Sequence, residues 1–354
     1  MVHDRDHRFA LVLSGGNALG SWQAGAFEAM VARGYAPDRV SGASVGAING
    51  ALIVGNPPDR AVERLRAFWS PAGASWWPAE LDAWRRTAAV SATLAAGRWQ
   101  AFTPRPFLGQ PWVGDGAPSP SLFDTRPLAA TLERSVDWER VNDGLVRLTV
   151  TAVELESGLD AAFDTTRDRL GPDHVRASTA LMPAFAPVEI GGRWYVDPGL
   201  SANLPVDAVL AEPGDGPLLV IALDLLPLSA PKPATFGEAA GRLQDLVFAA
   251  QARRAADAWK AVYDLHGPKA PAVTLARLSY SDQGREVAGK AFDFSPETAG
   301  ERWAAGATAM HALLDRLEAG DLPIGEPGLT VVQDPDEAPL LQDTFRIRLS
   351  EKAG

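Results

Sequence analysis

Cysteine is absent from this 354-residue chain, which excludes disulfide bonds and thiolate chemistry and leaves the redox compartment undetermined. Histidine is scarce, with five residues in all. No group of histidines and carboxylates has the spacing that is typical of a metal site. We therefore expect neither a metal nor another cofactor.

An excess of basic residues is also missing. The chain has 33 Lys and Arg against 44 Asp and Glu, a net charge of −11, and it contains no basic tract. This balance argues against nucleic acid as a partner and against adhesion to anionic lipid by charge alone.

Long hydrophobic runs are missing as well. The longest apolar stretch, residues 217–228, contains Asp224 and is far shorter than the roughly 20 residues of a membrane-spanning helix. Residues 1–13 carry acidic side chains and only a short apolar run, unlike a secretory signal. We expect a cytoplasmic protein, with peripheral membrane contact and secretion without a cleavable signal left open.

The chain does contain a glycine-rich turn directly after an apolar segment. Phe9–Leu13 is predicted to be a buried strand, residues 14–20 form the turn, and helix-like spacing follows up to Gly34. A turn at a helix N-terminus directs backbone N–H groups at one point, which suits a phosphate or a developing oxyanion. A tight turn that simply needs glycine explains the pattern equally well.

A second turn contains Ser44, which has glycine two positions before it and two positions after it. A strand-like segment at 38–41 leads into this turn, and an apolar helix is predicted at 47–54. A serine at a sharp strand-to-helix turn exposes its hydroxyl as a nucleophile, and the glycines let the backbones pass. Adjacent parallel strands would place both turns at the carboxyl edge of one sheet, where open α/β sheets bind ligands.

Asp197 follows a short strand-like segment and precedes Pro198 and Gly199. An aspartate before Pro-Gly is usually a solvated turn residue. The alternative is a carboxylate that accepts the proton of Ser44, since a neutral serine hydroxyl is a poor nucleophile without a positioned base.

Taken in this order, these motifs resemble those of the patatin-like phospholipase family. The resemblance extends over roughly residues 9–226. The segments that carry it are Gly15–Gly20, Gly42–Gly46 with its continuation to Gly50, Asp197–Gly199, and the flanking segments 177–183 and 201–205.

This resemblance and the order of elements predict an α/β fold in which a mainly parallel sheet lies between two layers of helices. The resemblance implies hydrolysis of lipid acyl esters by a Ser-Asp dyad. Ser44 would be the nucleophile and Asp197 the base, and the N–H groups of Gly15, Gly16 and Asn17 would form the oxyanion hole. Water would then hydrolyse an acyl-serine intermediate. The class of lipid or acyl-ester substrate stays open.

Three positions depart from the family pattern. Asn17 stands where glycine is usual, Leu19 where arginine or lysine is usual, and Pro198 where glycine is usual. Asparagine tolerates a left-handed backbone and keeps its N–H, but Leu19 removes a cation and Pro198 removes a donor. These departures keep open a catalytically impaired protein that binds lipid or regulates.

Two other kinds of site are less well supported. The α/β-hydrolase order Ser, Asp, His would need His266 or His311, which fit a surface turn and a helix face, and that fold places several strands before its serine. A phosphate-binding loop at Gly15–Gly20 would require Lys or Thr directly after the glycines, and neither follows Gly20.

The predicted organisation is one acyl hydrolase domain at 1–320 and a tail rich in proline and acidic residues at 321–354. A helical insertion at about 56–125 contains six of the eleven tryptophans: Trp69, Trp76, Trp77, Trp84, Trp99 and Trp112. Most of them are expected to pack on the sheet domain. The Trp76–Trp77 pair is a candidate lipid-facing edge, because tryptophan suits boundaries between apolar and wet surfaces.

Overall fold

A computed structural model describes residues 7–70, 78–105 and 121–333 of the chain. The strands are β1 Arg8–Leu13, β2 Arg39–Gly42, β3 Thr103–Pro104, β4 Phe123–Asp124, β5 Arg147–Glu154, β6 Asp160–Asp164, β7 Val188–Ile190, β8 Arg193–Val196, β9 Leu218–Asp224, β10 Ala272–Ser279 and β11 Gly328–Val332.

The α-helices are α1 Ser21–Ala32, α2 Val45–Val54, α3 Pro58–Trp69, α4 Asp82–Ala96, α5 Arg126–Ser135, α6 Trp138–Asn142, α7 Pro172–Ser178, α8 Gly199–Ala202, α9 Asp207–Leu210, α10 Phe236–His266 and α11 Pro296–Glu318. Short 3-10 helices lie at 17–20, 79–81, 267–269 and 290–292.

In the part of the chain that the structure describes, a nine-stranded sheet forms the centre of the fold. Its order is β11-β10-β9-β1-β2-β5-β8-β7, and β6 also pairs with β5. Every pair from β11 across to β5 is parallel, whereas β6, β7 and β8 make antiparallel pairs. The mainly parallel sheet predicted from the sequence is confirmed.

Both faces of this sheet are buried under helices. In β1, Phe9, Leu11 and Leu13 pack into a core shared with α1, α2 and α11, while Ala10 and Val12 pack into a second core that includes residues of α9 and α10. Burial on both faces explains why the strand is a continuous apolar run rather than an alternating one. The three-layer α/β architecture is therefore confirmed.

The helical character of the insertion is confirmed by α3 and α4, but its tryptophans differ from the expectation. Trp69 is buried, whereas Trp84 and Trp99 are 65% and 75% exposed. Trp76, Trp77 and Trp112 lie outside the described residues. Most of the tryptophans that the structure describes in this segment therefore do not pack on the sheet.

The predicted tail boundary at residue 321 is wrong. Residues 328–332 form β11, which pairs in parallel with β10 from Ala272 to Ala276. Leu329 is buried in the core on the α10 side of the sheet. The sheet domain therefore continues at least to Val332, and residues 334–354 lie outside the described part of the chain.

None of the helices in the described part of the chain combines the length and the apolar character that crossing a bilayer requires.

Helices α1 and α11 pack tightly against each other at two glycines. A Cβ atom on Gly25 would lie 2.7 Å from the carbonyl carbon of Trp303, and one on Gly306 would lie 2.8 Å from that of Trp22. Both carbonyl oxygens would be closer still. The two backbones can take this separation only because neither position carries a side chain.

We expect Gly306→Ala to lower the free energy of unfolding by about 3 kcal/mol, because the added methyl forces the two helices apart. Urea unfolding measures this. The matched control is Gly241→Ala on α10, where nothing lies within 4 Å of the added carbon and helix propensity favours alanine by roughly 0.5–1 kcal/mol. Equal effects at the two positions would contradict the close approach of α1 and α11.

Candidate active site

The two glycine-rich turns lie side by side at the carboxyl edge of the sheet. Strands β1 and β2 are adjacent and parallel, and Leu13 is the register partner of Gly42. The turn at 14–20 follows β1, and Ser44 lies between the end of β2 and the start of α2. The juxtaposition predicted from the sequence is confirmed.

The backbone at Ser44 has the strained geometry of a sharp elbow. Its φ of 53° and ψ of −123° lie outside the regions that an L-residue ordinarily adopts. A Cβ atom on Gly42 would lie 2.7 Å from the Ala47 nitrogen, and one on Gly46 would lie 2.6 Å from the Leu13 carbonyl carbon. Both glycines are therefore required for the chain to turn here, as predicted.

Ser178, at the end of α7, fixes the backbone of the serine elbow through a hydrogen bond. The Ser44 N–H donates to the Ser178 hydroxyl oxygen over 2.9 Å. Ser178 has no exposed surface. The Ser44 amide is thereby engaged within the protein, and the elbow is tied to a segment far along the chain.

The structure brings Asp197 into contact with Ser44. Asp197 follows β8 and is only 4% exposed. Burial raises the pKa of its carboxyl group to about 6, while hydrogen bonds from the Ser44 side chain and the Gly199 N–H act in the opposite direction. The Gly199 N–H lies 2.7 Å from Asp197 Oδ1. Because this donor comes from Gly199, Pro198 takes no hydrogen bond away from the carboxylate.

Part of the glycine turn after β1 lines the pocket that contains Ser44 and Asp197. Asn17 has a positive φ of 51°, so the expected left-handed conformation is confirmed. Gly16 and Asn17 both line the pocket that contains Ser44 and Asp197. Within the described residues, neither of their N–H groups has an assigned hydrogen-bond acceptor.

Gly15 differs from the prediction. Its N–H donates to the Asn203 carbonyl oxygen over 3.0 Å, and the Asn203 side-chain amide donates back to the Gly15 carbonyl over 3.3 Å. The Gly15 amide is therefore bonded within the protein and is not one of the groups that face the pocket. The segment containing Asn203 instead fixes the turn.

Leu19, which occupies the position of the usual cation, is fully buried in the hydrophobic core. A cation reaches the turn from elsewhere, because Nη1 of Arg302 on α11 donates to the Ala18 carbonyl over 3.0 Å. Arg302 is itself ion-paired with Glu286, with 2.7 Å between the paired atoms. The turn is thus supported by the carboxyl-terminal part of the fold.

An apolar pocket surrounds the Ser44 and Asp197 side chains. Its walls come from α2, α3, α5, α10 and the segments around Phe102, Phe185 and Phe294. The apolar side chains that line it are Val45, Ile48, Phe68, Trp69, Phe102, Leu128, Leu181, Phe185, Leu226, Phe248, Phe292 and Phe294. Such a lining suits an acyl chain far better than a polar substrate.

None of the histidines in the described residues lines this pocket. His266, near the carboxyl end of α10, and His311, on α11, are both exposed. Within the described residues, the alternative Ser-Asp-His triad therefore has no histidine beside Ser44. The described residues also contain no group of carboxylates and histidines arranged to hold a metal ion.

Sequence reasoning missed the functions of several residues here. Ser178 and Asn203 lie in segments that entered only through the family resemblance, and no role was assigned to either. Arg98, which also lines the pocket, carried no sequence signal at all. Only its position in the fold singles it out.

An α/β protein with a strained serine elbow, a buried aspartate beside the serine and an apolar pocket belongs to the serine hydrolases in its general design. A family model described as patatin-like phospholipase matches residues 11–210, and a second, described as patatin phospholipase, matches residues 236–321. The first match covers more than half of the chain. The chain belongs to the patatin-like phospholipase family.

Solved structures with detectable similarity are distant. VipD from Legionella pneumophila has a TM-score of 0.41 and 14% identity, over 88% of this chain and 67% of that one. ExoU in its complex with SpcU, from the Pseudomonas aeruginosa type III secretion system, has a TM-score of 0.30 and 17% identity, over 70% of this chain and 50% of that one. A second ExoU structure, described as a type III effector, has a TM-score of 0.34 and 15% identity, over 88% and 53%.

The chain spans about half the length of the ExoU chains. Likenesses of this size do not bear on activity or partners. A search of curated proteins found no match.

We expect Asp197→Asn to stabilise the protein at pH 8 by roughly 3 kcal/mol and to have little effect at pH 4. The folded pKa of about 6 exceeds the unfolded value of about 3.9. Between these values the folded state binds the extra proton, so the stability of the wild type falls as pH rises and the full loss is present above pH 6. Urea unfolding at pH 4, 6 and 8 measures the difference.

The control for this experiment is Glu63→Gln, which changes an exposed carboxylate on α3. We expect no comparable pH-dependent gain there. A constant difference between Asp197→Asn and wild type at all three pH values would show that the carboxyl group is not held in a desolvated site.

Proposed function

We propose that this protein cleaves the acyl ester bonds of lipids with Ser44 as nucleophile and Asp197 as general base. The observation that carries the proposal is the buried Asp197 carboxyl, whose pKa responds to the Ser44 side chain and which lines the same apolar pocket as Ser44. Nucleophilic catalysis by serine needs this pairing, because the hydroxyl must lose its proton as it attacks.

The reaction has two halves. Ser44 Oγ attacks the ester carbonyl carbon while the hydroxyl proton passes to Asp197. The tetrahedral intermediate then expels the alcohol, which takes this proton from Asp197 as it leaves. Water then attacks the acyl-serine ester with Asp197 again accepting a proton. The fatty acid leaves, and Ser44 recovers its hydrogen.

Burial makes Asp197 a better base than an ordinary aspartate. General-base catalysis is most effective when the pKa of the base lies near the working pH, and burial raises the pKa of Asp197 to about 6. At neutral pH the group is still mainly ionised, so it can accept the proton without a histidine between it and the serine.

The N–H groups of Gly16 and Asn17 are the proposed oxyanion donors. Both residues line the pocket beside Ser44, whereas the amides of Gly15 and Ser44 are bonded elsewhere. The N-terminus of α2 adds a favourable dipole at the same place. One such donor contributes about 2.7–4 kcal/mol in other hydrolases, so the turn should matter about as much as the base.

We expect a fluorophosphonate probe to label wild-type protein and not Ser44→Ala, and to label Asp197→Asn at least 100-fold more slowly. The kcat/KM for a p-nitrophenyl ester should rise with pH and level off above an apparent pKa of about 6, since protonated Asp197 cannot act as the base. Melting curves check that each variant is folded. A wild type that neither reacts with the probe nor hydrolyses the ester would favour a lipid-binding or regulatory protein.

Contact with a membrane surface is a second part of the proposal. Trp99, Met182 and Leu200 are 75%, 41% and 65% exposed. In the chain, each of these residues comes directly after a residue that lines the pocket; these lining residues are Arg98, Leu181 and Gly199, respectively. Exposed apolar side chains therefore follow three pocket-lining positions, and we propose that they lie at the mouth through which a lipid enters.

We expect Trp99→Ser to reduce sedimentation with phosphatidylcholine vesicles several-fold, because tryptophan favours the boundary between water and hydrocarbon. Leu265→Ser is the control, since Leu265 is 86% exposed but lies at the far end of α10 from the pocket-lining Gln244 and Phe248. An equal loss in both variants would argue against a membrane contact at the pocket mouth.

A further inference from the structure

Arg98 is a cation placed inside the apolar pocket that contains Ser44. It follows α4 and Gly97, and it lines the same pocket as Ser44 and Asp197. Its guanidinium carbon lies 4.4 Å from the ring centre of Phe68, 4.5 Å from that of Phe294 and 5.3 Å from that of Trp69. Three aromatic faces therefore fix the group.

No carboxylate neutralises Arg98 among the residues that the structure describes. Nη2 donates to the Phe68 carbonyl oxygen, and Nη1 is buried without a hydrogen-bond partner. The buried Arg39 also lacks an ion pair and donates to the backbone carbonyls of Ala208 and Glu212, whereas the other four buried arginines of the described residues are each ion-paired with a carboxylate. These are Arg85 and Arg86 with Asp82, Arg277 with Asp224, and Arg302 with Glu286.

The charge of Arg98 is retained despite this environment. Burial alone lowers its pKa to about 9, which leaves the guanidinium protonated at neutral pH. Arg98 is half-buried, and a cation that is partly removed from water without a counterion is destabilised; an anion that enters the pocket would offset part of that cost. Hydrogen bonding to the Phe68 carbonyl requires a donor but does not require a charge.

Trp69 connects Arg98 to the reacting groups. The guanidinium lies over its ring, and the Cζ2 atom of Trp69 would lie 2.7 Å from a Cβ atom on Gly20, at the end of the glycine turn. The Trp69 indole N–H also donates to Asn49 of α2 over 3.0 Å. One aromatic ring thus separates the cation from the turn and from the helix that begins at the elbow.

We propose that Arg98 receives the anionic oxygens of a lipid ligand, so that the enzyme prefers a phosphodiester-bearing acyl ester to a neutral glyceride. This inference rests on the proposed function, because it places the ester at Ser44 and the anion at Arg98 in one pocket. A phosphodiester of the substrate and the carboxylate of a released fatty acid share this oxyanion chemistry.

Binding tests this without turnover. With Ser44→Ala protein, calorimetry compares decyl phosphate, decanoate and decanol below their micelle concentrations. We expect decyl phosphate to bind at least tenfold more tightly than decanol. Arg98→Gln in the same background should abolish that preference and leave decanol affinity within twofold. Arg98→Lys should retain most of the preference, since it keeps the charge.

The control is Arg126→Gln, which removes an 84% exposed arginine side chain paired with Asp124 and should change none of the three affinities. If Arg98 makes decyl phosphate bind more tightly than decanoate, the anion that Arg98 binds is the phosphodiester of the substrate. Arg98-dependent binding of decanoate alone assigns it to the product and overturns the substrate preference. If Arg98→Gln weakens the binding of both decyl phosphate and decanol, or of neither, Arg98 is not the group that binds the anion.

A kinetic comparison separates this inference from the proposed function. In mixed micelles, the ratio of kcat/KM for phosphatidylcholine to that for diacylglycerol with the same chains should fall at least tenfold in Arg98→Gln. An unchanged ratio overturns the inference while Ser44-dependent hydrolysis still stands. If wild type shows no Ser44-dependent hydrolysis of either lipid, the proposed function fails, and the binding comparison alone decides the role of Arg98.

Discussion

The contact between the Ser44 side chain and the buried Asp197 carboxyl depends on the close passage of backbones around the serine elbow. Gly42 and Gly46 permit that passage, the bond from the Ser44 amide to Ser178 holds it, and β8 brings the aspartate to the same edge of the sheet. The remaining features of the site act on this pair. The apolar walls exclude water, and that exclusion raises the pKa of the carboxyl towards neutrality.

The carboxyl-terminal segment is part of the same site rather than an appendage. Arg302 on α11 bonds the glycine turn through the Ala18 carbonyl, and α10 contributes Gln244 and Phe248 to the pocket. Ion pairs from Arg86 on α4 to Glu286 tie the insertion to that segment. The two separately matched family segments, 11–210 and 236–321, therefore enclose one cavity and share one buried ionic network.

The described lining of the pocket contains two titratable groups, Asp197 and Arg98, whose burial has different consequences. For Asp197, loss of water weakens the acid and makes the conjugate base more useful for proton transfer. For Arg98, loss of water leaves a positive charge that the described protein groups do not neutralise. An ester with a nearby anionic group is complementary to both. A neutral ester is complementary to the first alone.

The sequence by itself determined the local parts of this protein. The apolar strand before the glycine turn, the glycines around Ser44 and the left-handed tolerance of Asn17 follow from residue type and immediate neighbours, because backbone sterics act over a few residues. Only the tertiary structure decided which groups are buried, paired or left without a partner. The engagement of the Gly15 amide by Asn203, the Arg302 contact to the turn, the isolation of Arg98 and the addition of β11 to the sheet each depend on segments distant in the chain. Desolvation and charge pairing are set by whichever atoms fill the surrounding space, and no local pattern records them.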